Sequence, residues 1–479
     1  MDTSLKYVLF GTGKGGKRVY NLIKESSQIT IECFLDNYPK GDKYMGLPVV
    51  QADIYLQNHT LNNIVFIIAS VYKDDIIKQL KSYGIENEKI WTNLNVVMNN
   101  WNRYKARVDS FEKGEDGKSL SIVFDCGAGF VLGGVEKWTY ELIRMLKKKM
   151  DIPYIMLSKD DFTEAPEDLK EYAYHIEGVE SFFDFDIHAV NKIIKKLTQC
   201  MPCVVFTAHV DNLLIAAAIV KEKYTEQITI VSTVHGGLYR ILEENVAISS
   251  MVDYILCVSP DSCRILQEKY GLSNEKILFK ETPVQIKNIN RKYTLNIKAP
   301  IKIAYAARLE KIHKHSELLI PLIRRLEDKS INYELDIAGE GPLYNQLDEF
   351  IKERKISDHV RLLGRVKYEE METFWLKHDI AINMSECEGC SLAMLESMSF
   401  GDVPIFTNVF SSKHFIRDGY NGYVVDYGNI GQMVNHIQYL SQNRKEIKIM
   451  GLEAYEKVKD LCDMNDYVDY IMERIICNK

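Results

Sequence analysis

Apolar residues recur along this chain in short unbroken runs separated by amphipathic stretches, and the pattern restarts twice. The first series opens with the strand Lys6–Phe10, a glycine turn and a helical pattern through Lys24. A strand ending in Phe34-Leu35-Asp36 follows, then a strand over Ile64–Ala69, a helical stretch over Tyr72–Tyr83 and a short strand near Ile90-Trp91. Continuous apolar strands alternating with two-faced helices predict a parallel sheet covered on both sides. Residues 101–118 (WNRYKARVDSFEKGEDGK) are polar, charged and glycine-bearing, and read as a linker.

The second series predicts strands at Ser121–Asp125, Pro153–Leu157, Val204–Thr207, Ile228–Val234 and Tyr254–Val258, with a helix from the Gly133-Gly134 loop to about Lys149. The third starts after Pro300, with strands at Ile301–Ala306, Tyr333–Ala338, Val360–Leu363, Ile380–Met384 and Val403–Phe406. The expected division is therefore 1–100, the linker 101–118, 119–298, 299–455, and a C-terminal helical segment 456–479 that packs back on the 119–298 domain. The fold class is α/β, with ligands expected at the carboxyl ends of the strands.

Composition adds exclusions. With 479 residues, 46% hydrophobic and 27% charged, the chain is that of a folded multidomain protein. A net charge of −7 argues against a nucleic-acid partner, whose phosphates call for a basic surface. No run approaches the ~20 apolar residues of a membrane span, and no apolar signal core is visible at the N-terminus, so a cytoplasmic location is expected. The ten cysteines read as reduced, mostly core thiols, including the C-x-x-C pairs Cys200/Cys203 and Cys387/Cys390. Asp184-Phe185-Asp186 reads as a loop or helix cap ahead of IHAVNKIIKKL, and no metal site is expected.

The densest chemistry lies in SECEGCSLAMLESMSFGDVPI, residues 385–405. Glu388 and Glu396 stand eight apart, Gly389 follows the first, and a helix begins near Ser391. A strand, a glycine turn and a helix N-terminus make an anion site, with the N–H groups of Ser391, Leu392 and Ala393 aimed at a phosphate. Carboxylates on either side suit the hydroxyls of a sugar or ribose.

This segment, E-x7-E followed by E-S-M-x-x-G-x-x-P, resembles the donor-site signature of the retaining glycosyltransferases of family 4, which have the GT-B fold. AARLEKIHK resembles the family's R-x5-K pair, through Arg308 and Lys314. LDIAGEGPL resembles its L-x-I-x-G-x-G-P turn through Gly339 and Gly341, VRLLGRV its LG-x-V strand, and RDGYNGYVV its D-G-x-N-G loop. GGVEKWTYEL, with Gly133 and Gly134, resembles the glycine loop facing the phosphates from the other domain. The resemblance covers about 120–455. It departs from the usual pattern at Cys390 and Ser391, which leaves the sugar open, and in the additional glycines of DCGAGFVLGG.

The resemblance implies two Rossmann-like domains, 119–298 for the acceptor and 299–455 for a nucleotide-diphosphate-sugar donor. Arg308, Lys314 and Glu388 would be catalytic. Gly133, Gly134, Gly339, Gly341, Gly389, Cys390, Ser391, Leu392, Ala393 and Glu396 would bind the sugar donor. No cofactor and no metal would be required, because Arg/Lys and helix dipoles neutralise the diphosphate. His209 and His235, each after an apolar strand, are candidates for acceptor or sugar contacts, with Asp211 and Asn212 beside the first. Lys311 and His313 read as solvated. No paired carboxylates of the hydrolytic kind are visible.

The acceptor is expected to be a glycan or lipid-linked saccharide, polyprenyl-linked being one form, in surface polysaccharide or glycoconjugate biosynthesis. LIRMLKKKM and NKIIKKL mix apolar and basic residues, which suits either peripheral contact with the inner face of a membrane or an ordinary core-facing helix with a solvated lysine end.

The opening turn LFGTGKGGKRVY places Gly11, Gly13 and Gly16 in G-x-G-x-x-G spacing, with Asp36 about twenty residues on. This unit resembles the small Rossmann-like modules that precede acyltransferases of bacterial polysaccharide synthesis, where the loop binds a nucleotide-sugar or supports the fold. An NAD(P)-dependent oxidoreductase working through this turn is an alternative, as is a non-catalytic sugar-nucleotide-binding scaffold. A GT-B phosphorylase or a sugar-nucleotide epimerase is a nearer competitor.

Overall fold

The computed structural model describes residues 5–26, 28–70, 72–114, 118–130, 133–159, 165–179, 182–183, 185–289 and 291–477. Asp184 of the D-F-D segment lies outside the described residues. Asp186 caps the helix Ile187–Cys200, its side chain accepting from His188 N, as a helix cap should.

Nineteen strands form three sheets among the described residues. The first contains β1 (Lys6–Phe10), β2 (Ile31–Asp36), β3 (Lys43–Tyr44), β4 (Leu47–Gln51), β5 (Ile64–Ile68) and β6 (Ile90–Trp91), in the order β3-β4-β2-β1-β5-β6. The second contains β7 (Ser121–Asp125), β8 (Tyr154–Ser158), β9 (Ala173–His175), β10 (Cys203–Thr207), β11 (Ile228–Val234), β12 (Tyr254–Cys257) and β13 (Ile277–Phe279), in the order β13-β12-β11-β10-β7-β8-β9. The third contains β14 (Ile301–Ala306), β15 (Tyr333–Ala338), β16 (Val360–Gly364), β17 (Ile380–Asn383), β18 (Val403–Thr407) and β19 (Tyr423–Val425), in the order β16-β15-β14-β17-β18-β19. Apart from the antiparallel β3–β4 hairpin, the strand pairs with a defined register are parallel. The expected α/β class holds throughout.

The physical reason is visible in burial. β5, β7, β10, β11, β17 and β18 are buried along their whole length, which alternating strands with one wet face cannot be. Around β14–β18, Ile303, Leu335, Ile337, Ile380 and Ile405 pack with Leu322 and Leu326 of the helix Leu319–Asp328 into one core.

The chain divides into two compact units, 1–132 with 152–231, and 133–151 with 232–479. In the first unit, the stretch expected as a linker is tied down over its described residues. Trp101–Lys105 is helical and Tyr104 is wholly buried. Trp101 Nε1 donates to Glu222 Oε1 at 2.8 Å, Lys113 N to the Tyr224 hydroxyl at 3.0 Å, and Lys223 Nζ to the Phe111 carbonyl at 2.6 Å. Among the described residues, no helix is long and apolar enough to cross a membrane.

Candidate functional site

Arg308 and Lys314 belong to the loop leaving β14, and the glycine turn leaving β15 lies against it. Leu309 N donates to the Glu340 carbonyl at 2.8 Å, and Leu343 N to the Leu309 carbonyl at 3.0 Å. Gly339 and Gly341 have φ of +150° and +151°, and a Cβ on either would stand 1.9 Å from the Ala307 oxygen or 2.4 Å from the Leu309 oxygen. These glycines let the two strand exits touch, which sets the position of Arg308. Its side chain is 70% exposed, with one guanidinium nitrogen 3.2 Å from Glu310 Oε1. Its carbonyl accepts from Ser316 Oγ at 3.0 Å, and that hydroxyl is 2.8 Å from the buried Tyr305 hydroxyl.

The E-x7-E segment leaves β17. Ser385 N donates to Asn383 Oδ1 at 2.7 Å, Thr407 Oγ1 to the Ser385 carbonyl at 2.6 Å, and Ser385 Oγ to Glu388 Oε1 at 2.8 Å. Glu388 Oε1 also takes the ammonium of Lys314. Ser391 then caps the helix Leu392–Ser399, its Oγ accepting from Met394 N at 3.4 Å. Leu392 and Ala393 occupy the first turn, where N–H groups have no intrahelical acceptor. Burial pushes the Cys387 thiol up to about 11 and the Cys390 thiol up to about 12, so both stay protonated at neutral pH.

Glu396, in the second turn of the helix Leu392–Ser399, is paired with the ammonium of Lys137 and stands 3.4 Å from Trp375 Nε1. Lys137 sits in the first turns of the helix Gly134–Lys149, whose Gly134 approaches the Leu392 side chain. A pocket of about 130 Å³ borders this pair, walled by Trp138, Met371, Trp375, Leu392 and Phe400. Beside it, a Cβ on Gly389 would lie 2.2 Å from the His235 carbonyl oxygen, while the His235 ring meets Trp138 edge-on at 4.9 Å. The structure therefore gathers Lys314, Glu388, Gly389, Ser391, Leu392, Glu396, Gly134 and His235. His313, read as solvated, has its carbonyl engaged by Glu386 N at 2.9 Å.

The first unit holds its own polar cluster. Asp125, at the end of β7, has a side chain 1% exposed and accepts from Gly127 N at 2.7 Å and Ala208 N at 3.1 Å. His209 Nδ1 lies 3.1 Å from Asp125 Oδ2, and its ring meets Phe183 edge-on. Asp211 caps the helix Asn212–Lys223, and burial followed by the Asp125 charge raises its carboxyl well above the usual range.

In the N-terminal turn, Asp36 accepts from Thr12 N at 3.2 Å and Tyr38 N at 2.9 Å. A Cβ on Gly16 would stand 2.0 Å from the Gly11 oxygen, whereas Gly13 has open space around it. Gly11 and Gly16 thus serve close packing of strand, turn and helix.

Comparison with known proteins bears on both domains. Residues 286–457 match Glycosyl transferases group 1, and 132–279 match Glycosyltransferase Family 4. The structure of Anabaena Alr3699/HepE in complex with UDP-glucose superposes with a TM-score of 0.59 at 14% identity, covering 74% of this chain and 98% of that one. Residues 132–279 and 286–457 are thus two glycosyltransferase-family domains, and the superposition shows the GT-B fold.

Among curated relatives of the chain, an uncharacterized glycosyltransferase of Methanocaldococcus jannaschii is 28% identical over 27% of the chain and 36% of its own length. N-acetyl-alpha-D-glucosaminyl L-malate synthase of Bacillus anthracis is 23% identical over 51% of the chain and 66% of its own. The chain thus spans from about a third to just under two thirds of these relatives. The N-terminal residues 3–91 match the family described as C2185-like, N-terminal.

Sequence reasoning missed Lys137, Trp375 and Asp125. Lys137 lies four residues beyond Gly133, one helical turn, so a helix-face reading of GGVEK had the means to find it.

Proposed function

We propose that this glycosyltransferase moves a sugar from a nucleotide-diphosphate sugar to a saccharide acceptor in glycoconjugate biosynthesis, with retention at the anomeric carbon and without a metal ion. Residues 299–455 hold the sugar donor, and residues 119–298 the acceptor, a glycan or lipid-linked saccharide. The observation that carries this reading is the pairing of both E-x7-E carboxylates with lysines, Lys314 on Glu388 and Lys137 on Glu396, beside the N-termini of two helices. Such a group offers cations and N–H groups to a diphosphate, and carboxylates to hydroxyls. The UDP-glucose bound by the Anabaena protein, of like fold, supports a nucleotide-sugar substrate.

Arg308, Lys314 and the N–H groups of Leu392 and Ala393 stabilise the departing diphosphate, and such charge stabilisation is the main source of rate enhancement in a transfer of this kind. The acceptor oxygen enters from the face that the diphosphate leaves, which preserves configuration. Glu388 receives hydroxyls of the transferred sugar, and Glu396 those of the ribose.

A thermal-shift panel of UDP-, GDP-, ADP- and CMP-sugars on the full chain tests the reading, because a ligand bound by the folded state raises Tm by mass action. One nucleotide class is expected to raise Tm, unchanged by a chelator. NMR of the product is expected to give the anomeric configuration of the donor. No shift with any member of the panel overturns the assignment, and a product of inverted configuration overturns retention.

A further inference from the structure

Lys314 lies between two residues whose backbone is left-handed, His313 at φ +67° and His315 at φ +47°. Residues with side chains occupy that region reluctantly, so the loop needs outside contacts to stay in place. Two exist. The His313 carbonyl accepts from Glu386 N at 2.9 Å. The His315 ring bridges two carboxylates, with Nδ1 2.9 Å from Glu317 Oε1 and Nε2 3.2 Å from Glu386 Oε2. The edge of the ring also packs on Tyr427, with centroids 4.9 Å apart.

Glu386 stands two residues before Glu388, the partner of Lys314. The His315 ring therefore fastens the loop that carries Lys314 to the turn that carries Glu388. Glycine would sit at position 315 without strain, but it could make neither contact.

We propose that His315 is a positioning residue for the sugar donor: it fixes the Lys314 ammonium relative to Glu388, so that both meet the nucleotide diphosphate and its sugar already placed. The proposal rests on the reading of Lys314 as a phosphate-binding group. His315 touches no substrate in this scheme and acts through Glu386.

The test is calorimetric titration with UDP, GDP and ADP, with Tm recorded for each protein. The full-length variants are Lys314→Ala, His315→Gly, His315→Asn, Glu386→Ala and the double variant His315→Gly/Glu386→Ala. His315→Gly is expected to leave Tm unchanged or higher, since it relieves the left-handed backbone, and to raise the Kd of the bound nucleotide roughly 3- to 30-fold. His315→Asn, which tolerates the backbone and keeps one hydrogen bond, is expected to recover part of that loss. The double variant is expected to bind no more weakly than His315→Gly alone, as when two residues act through one contact.

Wild-type Kd in His315→Gly alongside a weakened Lys314→Ala overturns the tether, and so does strict additivity in the double variant. Wild-type Kd in Lys314→Ala, or no binding of any of the three nucleotides, overturns the parent reading of Lys314 instead.

Discussion

A Cβ placed on Gly237 would stand 2.1 Å from the carbonyl oxygen of Glu388, so the backbone after β11 and the turn of the E-x7-E segment touch main chain to main chain. Neither side is a flexible side chain that could yield. Gly237→Ala is therefore expected to destabilise the protein by about 1–3 kcal/mol and to displace Glu388. Chemical denaturation together with KM for the nucleotide sugar checks this. Wild-type values for both would show that the two turns part without consequence.

Lys314 and Arg308 differ in setting, and the difference is testable. Lys314→Ala is expected to lower turnover roughly 10²- to 10³-fold, the scale seen when one group stabilising a developing charge is removed. Arg308→Ala is expected to leave Tm unchanged, because its side chain is 70% exposed and its guanidinium meets, among the described residues, Glu310, while lowering turnover. Steady-state kinetics and melting curves of the two single variants separate these effects.

Lys137 is the cation that neutralises Glu396. Lys137→Met leaves that carboxylate, among the described residues, with Trp375 Nε1 3.4 Å away, and removes a positive charge beside the proposed nucleotide site. The Kd for the bound nucleotide is expected to rise about tenfold, and Lys137→Arg to restore most of it. Equal Kd in wild type and Lys137→Met would remove Lys137 from the site.

Burial raises Asp402 to about 7, against the pull of Arg291, whose guanidinium is 2.6 Å away. A carboxyl with that pKa binds more protons in the fold than in the unfolded chain from about pH 4 to 7. Its contribution to stability is therefore greatest at the acid end of that window and falls as pH rises through it. Asp402→Asn resembles the protonated carboxyl and leaves Arg291 its bond to the Phe400 carbonyl, so it is expected to gain stability relative to the wild type as pH rises from 5 to 7. The variant should also lack this part of the fall. Denaturation midpoints of both proteins at pH 5, 6, 7 and 8 give the comparison.

Much of this was legible in the sequence, for identifiable reasons. The buried strands read correctly because parallel strands covered on both faces are unbroken apolar runs, such as IVFII of β5 and VPIFT of β18. Glu388, Gly389 and Ser391 read as a turn and helix cap from spacing alone. Lys137 did not, since it meets Glu396 across 259 positions and spacing says nothing of which helix faces meet. Asp125 reads simply as the end of an apolar strand, because its three hydrogen-bond donors come from neighbouring backbone and from His209. In WNRYKARVDSFEKGEDGK the many charged residues give no sign that Tyr104 is buried.

That anchored stretch has a practical consequence. Arg103, Lys105, Arg107 and Lys113 make it an inviting target for trypsin by sequence, yet a protease must draw a segment out into an extended form before it can cut. With Tyr104 wholly buried and the chain laced to Glu222, Lys223 and Tyr224, cleavage there has to wait for local opening. Trypsin should then spare residues 101–113 in limited digestion, and a genetic cut within them would expose a wound where the composition suggests a clean seam.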